Sequence, residues 1–179
     1  RLYLKDRLKL DISPEKSQIV NLRRRKSEFL GFTIWAEKKK KKHVAQTGVI
    51  GKKKQEIKQK YKEYVKRIRN SPTVQNVRLF NSFVLGVHNY FKKSTMVNIE
   101  FSRIAYNLSK FTYNHLKQIG KYEIPKEPSE VYKKFYRNSY RTHKVAGIYL
   151  FPIADIKTSN NMNFSQELTP YTIEGRAKI

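Results

Sequence analysis

The chain has 179 residues, with 39 Lys and Arg against 14 Asp and Glu, a formal charge of +25 and no cysteine. That length allows a real core, while the missing thiols exclude a disulfide frame, a Cys-based zinc site and a Cys nucleophile. So large an imbalance opposes compaction by self-repulsion, which points to an anionic partner, nucleic acid first and an anionic membrane surface second.

Residues 1–13, RLYLKDRLKLDIS, read as the end of a helix giving way to a short strand at Leu10 and Ile12, with Pro14 setting a turn in SPEK. QIVNL and EFLGFTIW are two β-rich runs separated by RRRK, which predicts paired strands with a basic connection. Gly31 inside the second run predicts a bulge or a close backbone approach. Residues 37–51 carry five consecutive lysines that repel one another, so they are expected to be a mobile hairpin tip or linker.

Three amphipathic helices are predicted next, over residues 52–120. Ile57, Tyr61, Tyr64, Val65 and Ile68 mark the first, and Val77, Phe80, Phe83, Val84, Val87 and Phe91 the second. The third is expected to start at Asn98 as N-cap and to end at Gly120 as its αL residue. Each apolar stripe covers about a third of its helix, so the three are expected to pack as a bundle, and core is the plain reading of those stripes. Beyond Gly120, Ser129 is a candidate N-cap for a short helix, VAGIYLFPIADI is a β-like run broken by Pro152, and the polar remainder is expected to be irregular.

The side chains that do chemistry are sparse. His43, His88, His115 and His143 have no metal-ligand spacing, and Asp6, Asp11 and Asp155 form no paired acidic motif. No Gly-rich phosphate loop or nucleophile elbow is present. His88, in GVHNYF on an apolar helix, reads as a hydrogen-bonded core histidine. The 12 Tyr and 10 Phe exclude a disordered basic tail, and no stretch approaches the roughly 18 apolar residues of a membrane helix. The first 60 residues hold 19 cations against 6 anions, so the basic footprint is expected in the first two thirds of the chain.

Two ordered blocks carry a resemblance. RLKLDISPEKSQIVNL followed by SEFLGF resembles the end of the palm of group II intron-encoded reverse transcriptases, and RLFNSFVLGVHNYFKKSTMV resembles their maturase-specific thumb (X) domain. Residues 142–164 resemble the segment that follows the thumb in members with a nuclease domain. The resemblance implies an α+β fragment: a short β hairpin ending a palm (residues 1–36), a basic linker or hairpin tip (37–51), a three-helix thumb bundle (52–120) and an irregular DNA-binding or linker region (121–179). The start at Arg1, without Met, fits a piece of a longer protein.

The same resemblance implies function. The piece would grip primer and RNA template during RNA-directed DNA synthesis, and bind group II intron RNA to assist splicing and mobility into target DNA. Its expected location is bacterial cytoplasm or an organelle, not a membrane or the secretory route. Phe29, Leu30, Gly31 and Phe32 match the primer grip, although Phe29 and Phe32 read equally well as ordinary strand residues. Lys16 matches a lysine that acts as general acid toward departing pyrophosphate, or it is a solvated turn residue. Candidate phosphate contacts are Arg23, Arg24, Arg25, Lys26, Lys53, Lys54, Lys58, Lys62, Lys66, Arg69, Lys92 and Lys93, about half of the helical ones being expected to touch phosphate. No metal ligand is expected here. Magnesium belongs to the complete enzyme, held by paired aspartates outside this chain, so polymerase activity of the piece alone is not expected. The alternatives are an RNA-binding maturase without polymerase activity and a basic architectural or membrane-surface protein.

Overall fold

The computed structural model describes residues 6–9, 11, 13, 18–137, 140–159 and 173; the expected strand at Leu10 and Ile12, the turn at Pro14 and Lys16 lie outside them. The fold is mixed, with two small antiparallel sheets and a set of helices. The first sheet is β1 (Ser27–Phe29), β2 (Phe32–Lys39) and β3 (Lys42–Val49), in that order. The helices α1 (Gly51–Asn70), α2 (Val74–Phe91) and α3 (Val97–Leu116) follow. The second sheet, β4 (Lys121–Glu123), β5 (Thr142–Val145) and β6 (Ile148–Tyr149), encloses a short α4 (Glu130–Phe135) in sequence.

The first sheet departs from expectation. QIVNL is not a strand, and Ile19 is fully exposed. Instead β1 pairs with β2 across a two-residue turn, with Phe29 opposite Phe32. Leu30 and Gly31 both have positive φ (47° and 84°), as the hairpin turn that matches strand twist requires. Gly31 is therefore a turn residue, not a bulge. The RRRK run forms its own turn before β1, where Arg24 and Arg25 donate backbone N–H groups to the Asn21 carbonyl. Of the two readings of the lysine-rich segment, hairpin tip or linker, the hairpin is the one observed: β2 and β3 pair from Phe32–Val49 out to Lys39–Lys42, with Lys40 and Lys41 alone at the tip. Extended strands carry successive lysines to opposite faces, which eases their repulsion, and the outer half of the hairpin is exposed.

The helices follow their apolar periodicity. Ile57, Tyr61, Val65 and Ile68 are the buried face of α1, and Val77, Phe80, Val84 and Phe91 lie on that of α2. Phe101, Ile104 and Leu108 complete the core from α3. Burying each such side chain is worth about 1.5–3 kcal/mol. Tyr61 and Phe80 meet edge to face, their centroids 5.0 Å apart, which locks α1 to α2. Thr73 caps α2 by accepting from the Asn76 N–H at 3.3 Å.

Both predicted ends of α3 move. The helix begins at Val97, with Met96 at its cap and Asn98 already inside the first turn. The reason is tertiary: Met96 N–H donates to the Thr47 carbonyl at 3.0 Å, and the Thr95 N–H donates to the Thr47 hydroxyl at 3.0 Å, so β3 fixes where the helix starts. The helix stops at Leu116, before Gly120. Gly120 serves close packing: a Cβ there would sit 2.7 Å from Val145 Cγ2 and 2.9 Å from the Lys144 carbonyl oxygen.

The C-terminal part is more regular than expected and shares the core of the helices. Tyr132, Tyr136, Val145, Tyr149 and Leu150 belong to the same buried cluster as the α1–α3 residues. Ser129 caps α4 by accepting from the Tyr132 N–H at 3.3 Å. Ala146 and Gly147, both at positive φ, make the two-residue turn from β5 to β6. Buried Asn81 of α2 donates to the Tyr149 carbonyl at 2.9 Å and accepts from the Phe151 N–H at 2.8 Å, pinning this segment to the bundle. His88 is a hydrogen-bonded core histidine, held between Tyr136 and the Ile153 carbonyl.

Candidate nucleic-acid interface

The Leu30–Gly31 turn is clamped against the end of α2. Tyr90 donates its hydroxyl to the Leu30 carbonyl at 2.6 Å, and Ile50 N–H donates to the Gly31 carbonyl at 3.1 Å. Phe32 stacks on Tyr90 at 5.6 Å and meets Phe91 edge-on at 5.3 Å. Phe32 is thus a scaffold residue, half-buried between the hairpin and the helix. Phe29 and Leu30 are the reverse, 63% and 68% exposed at the tip.

A groove of about 520 Å³ runs beside this tip between α1 and α2, with Lys53 and Lys60 on one wall and Ser82, Gly86 and Tyr90 on the other. A Cβ on Gly86 would meet nothing within 4 Å, so the groove is open at that point, and Glu56, the partner of Lys53, also lines it.

The candidate cations divide by what they touch. Lys54 is structural: its ammonium lies 2.5 Å from Glu100, whose other oxygen accepts from the Val49 N–H at 2.7 Å. One carboxylate therefore joins β3, α1 and α3. Lys53 pairs with Glu56 at 2.8 Å, and that carboxylate holds its ammonium above the ordinary lysine range. Lys26 lies 4.7 Å over the Trp35 ring, a contact that steadies the hairpin. Lys92 reaches Asn89 and Lys93 reaches the Ser159 carbonyl, both at 3.3 Å. Arg23 and Arg24 are exposed on their turn, and Arg25 contacts Gln18 at 3.4 Å.

Lys58, Lys62, Lys66 and Arg69 are different. Their spacing of four, four and three residues puts them on one face of α1, in a row about 16 Å long. None has a carboxylate partner among the described residues, where ion pairs form only at Lys39–Glu37, Lys53–Glu56 and Lys54–Glu100. Lys62 also lies 5.4 Å over the Phe111 ring, which positions its ammonium beside α3.

The sequence reading passed over α3. Arg103, Tyr106, Lys110, Tyr113 and Lys117 recur in steps of three and four and are all exposed. That alternation of cation and ring runs along the sequence beside the apolar stripe of the same helix. No group of three or more His, Asp or Glu converges as a metal site among the described residues, and no helix there is long and apolar enough to cross a membrane. Compared with known proteins, the chain matches no family model and no curated protein.

Proposed function

We propose that this chain is the nucleic-acid-gripping part of a group II intron-encoded reverse transcriptase/maturase. On this reading α1–α3 form the thumb, and the exposed Phe29–Leu30 tip, anchored by Tyr90, is the primer grip. The observation that carries it is the row Lys58, Lys62, Lys66 and Arg69, left without carboxylates on one helical face. Such a row meets phosphates one after another and positions a duplex or structured RNA without reading its sequence. The resemblance of the SPEK–FLGF and NYFKK blocks supplies the family, with intron RNA, RNA template, DNA primer and target DNA as its partners. The aspartates that hold magnesium in that family are expected outside this chain. What these residues do is bind and orient.

The test is the salt dependence of RNA binding. Replacing Lys58, Lys62 and Lys66 together with Gln removes three phosphate contacts. The slope of log affinity against log salt should become shallower by about two to three. An unchanged slope, or anionic liposomes that displace structured RNA at every salt concentration, would overturn the proposal.

A further inference from the structure

A second cleft, of about 540 Å³, lies between α3 and the second sheet, with buried Tyr61 of α1 also lining it. Tyr106 and Tyr113 line it from α3, Tyr122 from β4 and Tyr140 from the chain before β5, and Lys110 and Arg141 stand among them. Tyrosines from three separate parts of the sequence therefore meet at one opening. All four are substantially exposed, Tyr106 at 81%. Tyr113, Tyr122 and His143 interlock, with Tyr122 4.8 Å from the His143 ring and 6.2 Å from that of Tyr113. Tyr106 and Tyr140 have no aromatic partner among the described residues. His143, itself buried, also lines the cleft, and its Nε2 has no hydrogen-bond partner among the described residues.

Four exposed rings converging on one opening, with polar tips and cations among them, form the kind of contiguous patch that marks a ligand surface. The flanking charges say which ligand. At about 100° per residue, Arg103, Tyr106, Lys110 and Tyr113 share one face of α3, with the cations alternating with the rings along it, and Lys110 lines the cleft beside Tyr106 and Tyr113. A strand whose phosphates follow the cations around α3 thus brings its bases over the tyrosines. Bases inside a duplex are already stacked and cannot reach such rings, whereas those of a loop or single strand can.

We infer that this cleft takes an unstacked nucleobase of single-stranded RNA, stacked on Tyr106 with its phosphates on Lys110 and Arg141. The inference rests on the nucleic-acid reading above and adds to it a second site, which handles single-stranded rather than duplex segments. Tyr hydroxyls around the opening give the base edge polar partners without imposing a strict sequence.

The test uses a short single-stranded RNA with 2-aminopurine at its centre, whose fluorescence is quenched by stacking. Binding to the chain should quench it, and the same strand annealed to its complement should bind without that quench. Tyr106→Ala should weaken single-strand binding about tenfold and remove the quench, with the salt slope unchanged. Tyr106→Phe, which keeps the stacking face, should restore both. Lys110→Gln with Arg141→Gln should flatten the slope by about one to two. Because Tyr106 is almost wholly exposed, its loss leaves the core intact. Full quenching by the Tyr106→Ala variant would overturn the cleft, and adenosine monophosphate binding as tightly as the strand would overturn the assignment to a polymer. The α1 triple variant separates the two proposals: it should flatten the salt slope while leaving the quench of bound strand in place.

Discussion

His88 makes the stability of this protein pH-dependent in a predictable direction. Its Nε2 lies 3.0 Å from the Ile153 carbonyl, which can only accept, so Nε2 carries the proton. Nδ1, 3.1 Å from Tyr136, must then accept from the tyrosine hydroxyl. The site suits the neutral ring, and burial disfavours its charged form, outweighing the opposite pull of the Ile153 carbonyl; the imidazole is lowered from 6.5 to about 4. Between those values the unfolded chain binds a proton that the folded chain refuses. His88 therefore contributes its full stability above about pH 6.5 and loses it as pH falls toward 4. At about 1.4 kcal/mol per pH unit the loss amounts to about 3 kcal/mol, a large part of the 5–15 kcal/mol that holds most domains together. His143, also lowered to about 4 by burial, adds to the fall in the same direction. The assay is urea unfolding from pH 8 to 4.5, comparing the protein with His88→Gln, which can still bridge Ile153 and Tyr136 but cannot titrate. The stability gap between the two should narrow by up to about 3 kcal/mol as pH falls. A gap that stays constant would refute the assignment.

Two further substitutions test the joints of the fold. Glu100→Gln keeps an acceptor for the Val49 N–H but removes the charge facing Lys54, and should cost about 1.5–3 kcal/mol; the melting temperature should fall by several degrees while the salt slope of RNA binding stays put. An unchanged melting temperature would show that the pair contributes nothing in solution. Gly120→Ala places a methyl against the Lys144 carbonyl, which cannot turn away as a side chain would, so β5 must shift at a cost of about 1–3 kcal/mol by denaturant titration. A variant as stable as the parent would mean that the second sheet is not held so closely to α3.

The parts that were legible in the sequence are those fixed by local periodicity. Ile57, Tyr61, Val65 and Ile68 can lie on one face of a helix and have no comparable arrangement as a strand, so α1 follows from them. The paired β2 and β3 did not follow, because lysine has weak strand preference and the pairing is secured elsewhere, where Thr47 meets Ser94 and Thr95 at the inner end. Lys54 looked like its neighbours Lys52 and Lys53. Its partner Glu100 is 46 residues away, and no spacing rule reaches that far. The cleft was half legible: Tyr106, Lys110 and Tyr113 alternate openly along α3, but Tyr122 and Tyr140 arrive only through the second sheet.

The placement of the acids bears on how a chain of charge +25 can fold and still leave most of its cations unpaired. With only 14 carboxylates for 39 cations, any acid used merely to neutralise the surface would be lost to the fold. The well-placed ones stand instead where elements meet. Glu100 ties β3 to α1 and α3, Glu123 of β4 accepts from the Tyr149 hydroxyl of β6 at 2.8 Å, and Asp155 accepts from the Arg137 N–H just beyond α4. Lys58, Lys62, Lys66 and Arg69 on α1, Arg103 and Lys110 on α3 and Lys117 just past its end form no ion pair among the described residues. On the proposed reading, phosphates would relieve their mutual repulsion, so added RNA should raise the melting temperature, and an unchanged melting temperature would count against it. The residue type is constant along α1, and the placement of a few carboxylates decides which lysines are tied into the fold: Lys54 to Glu100 and Lys53 to Glu56, but not Lys58, Lys62 or Lys66.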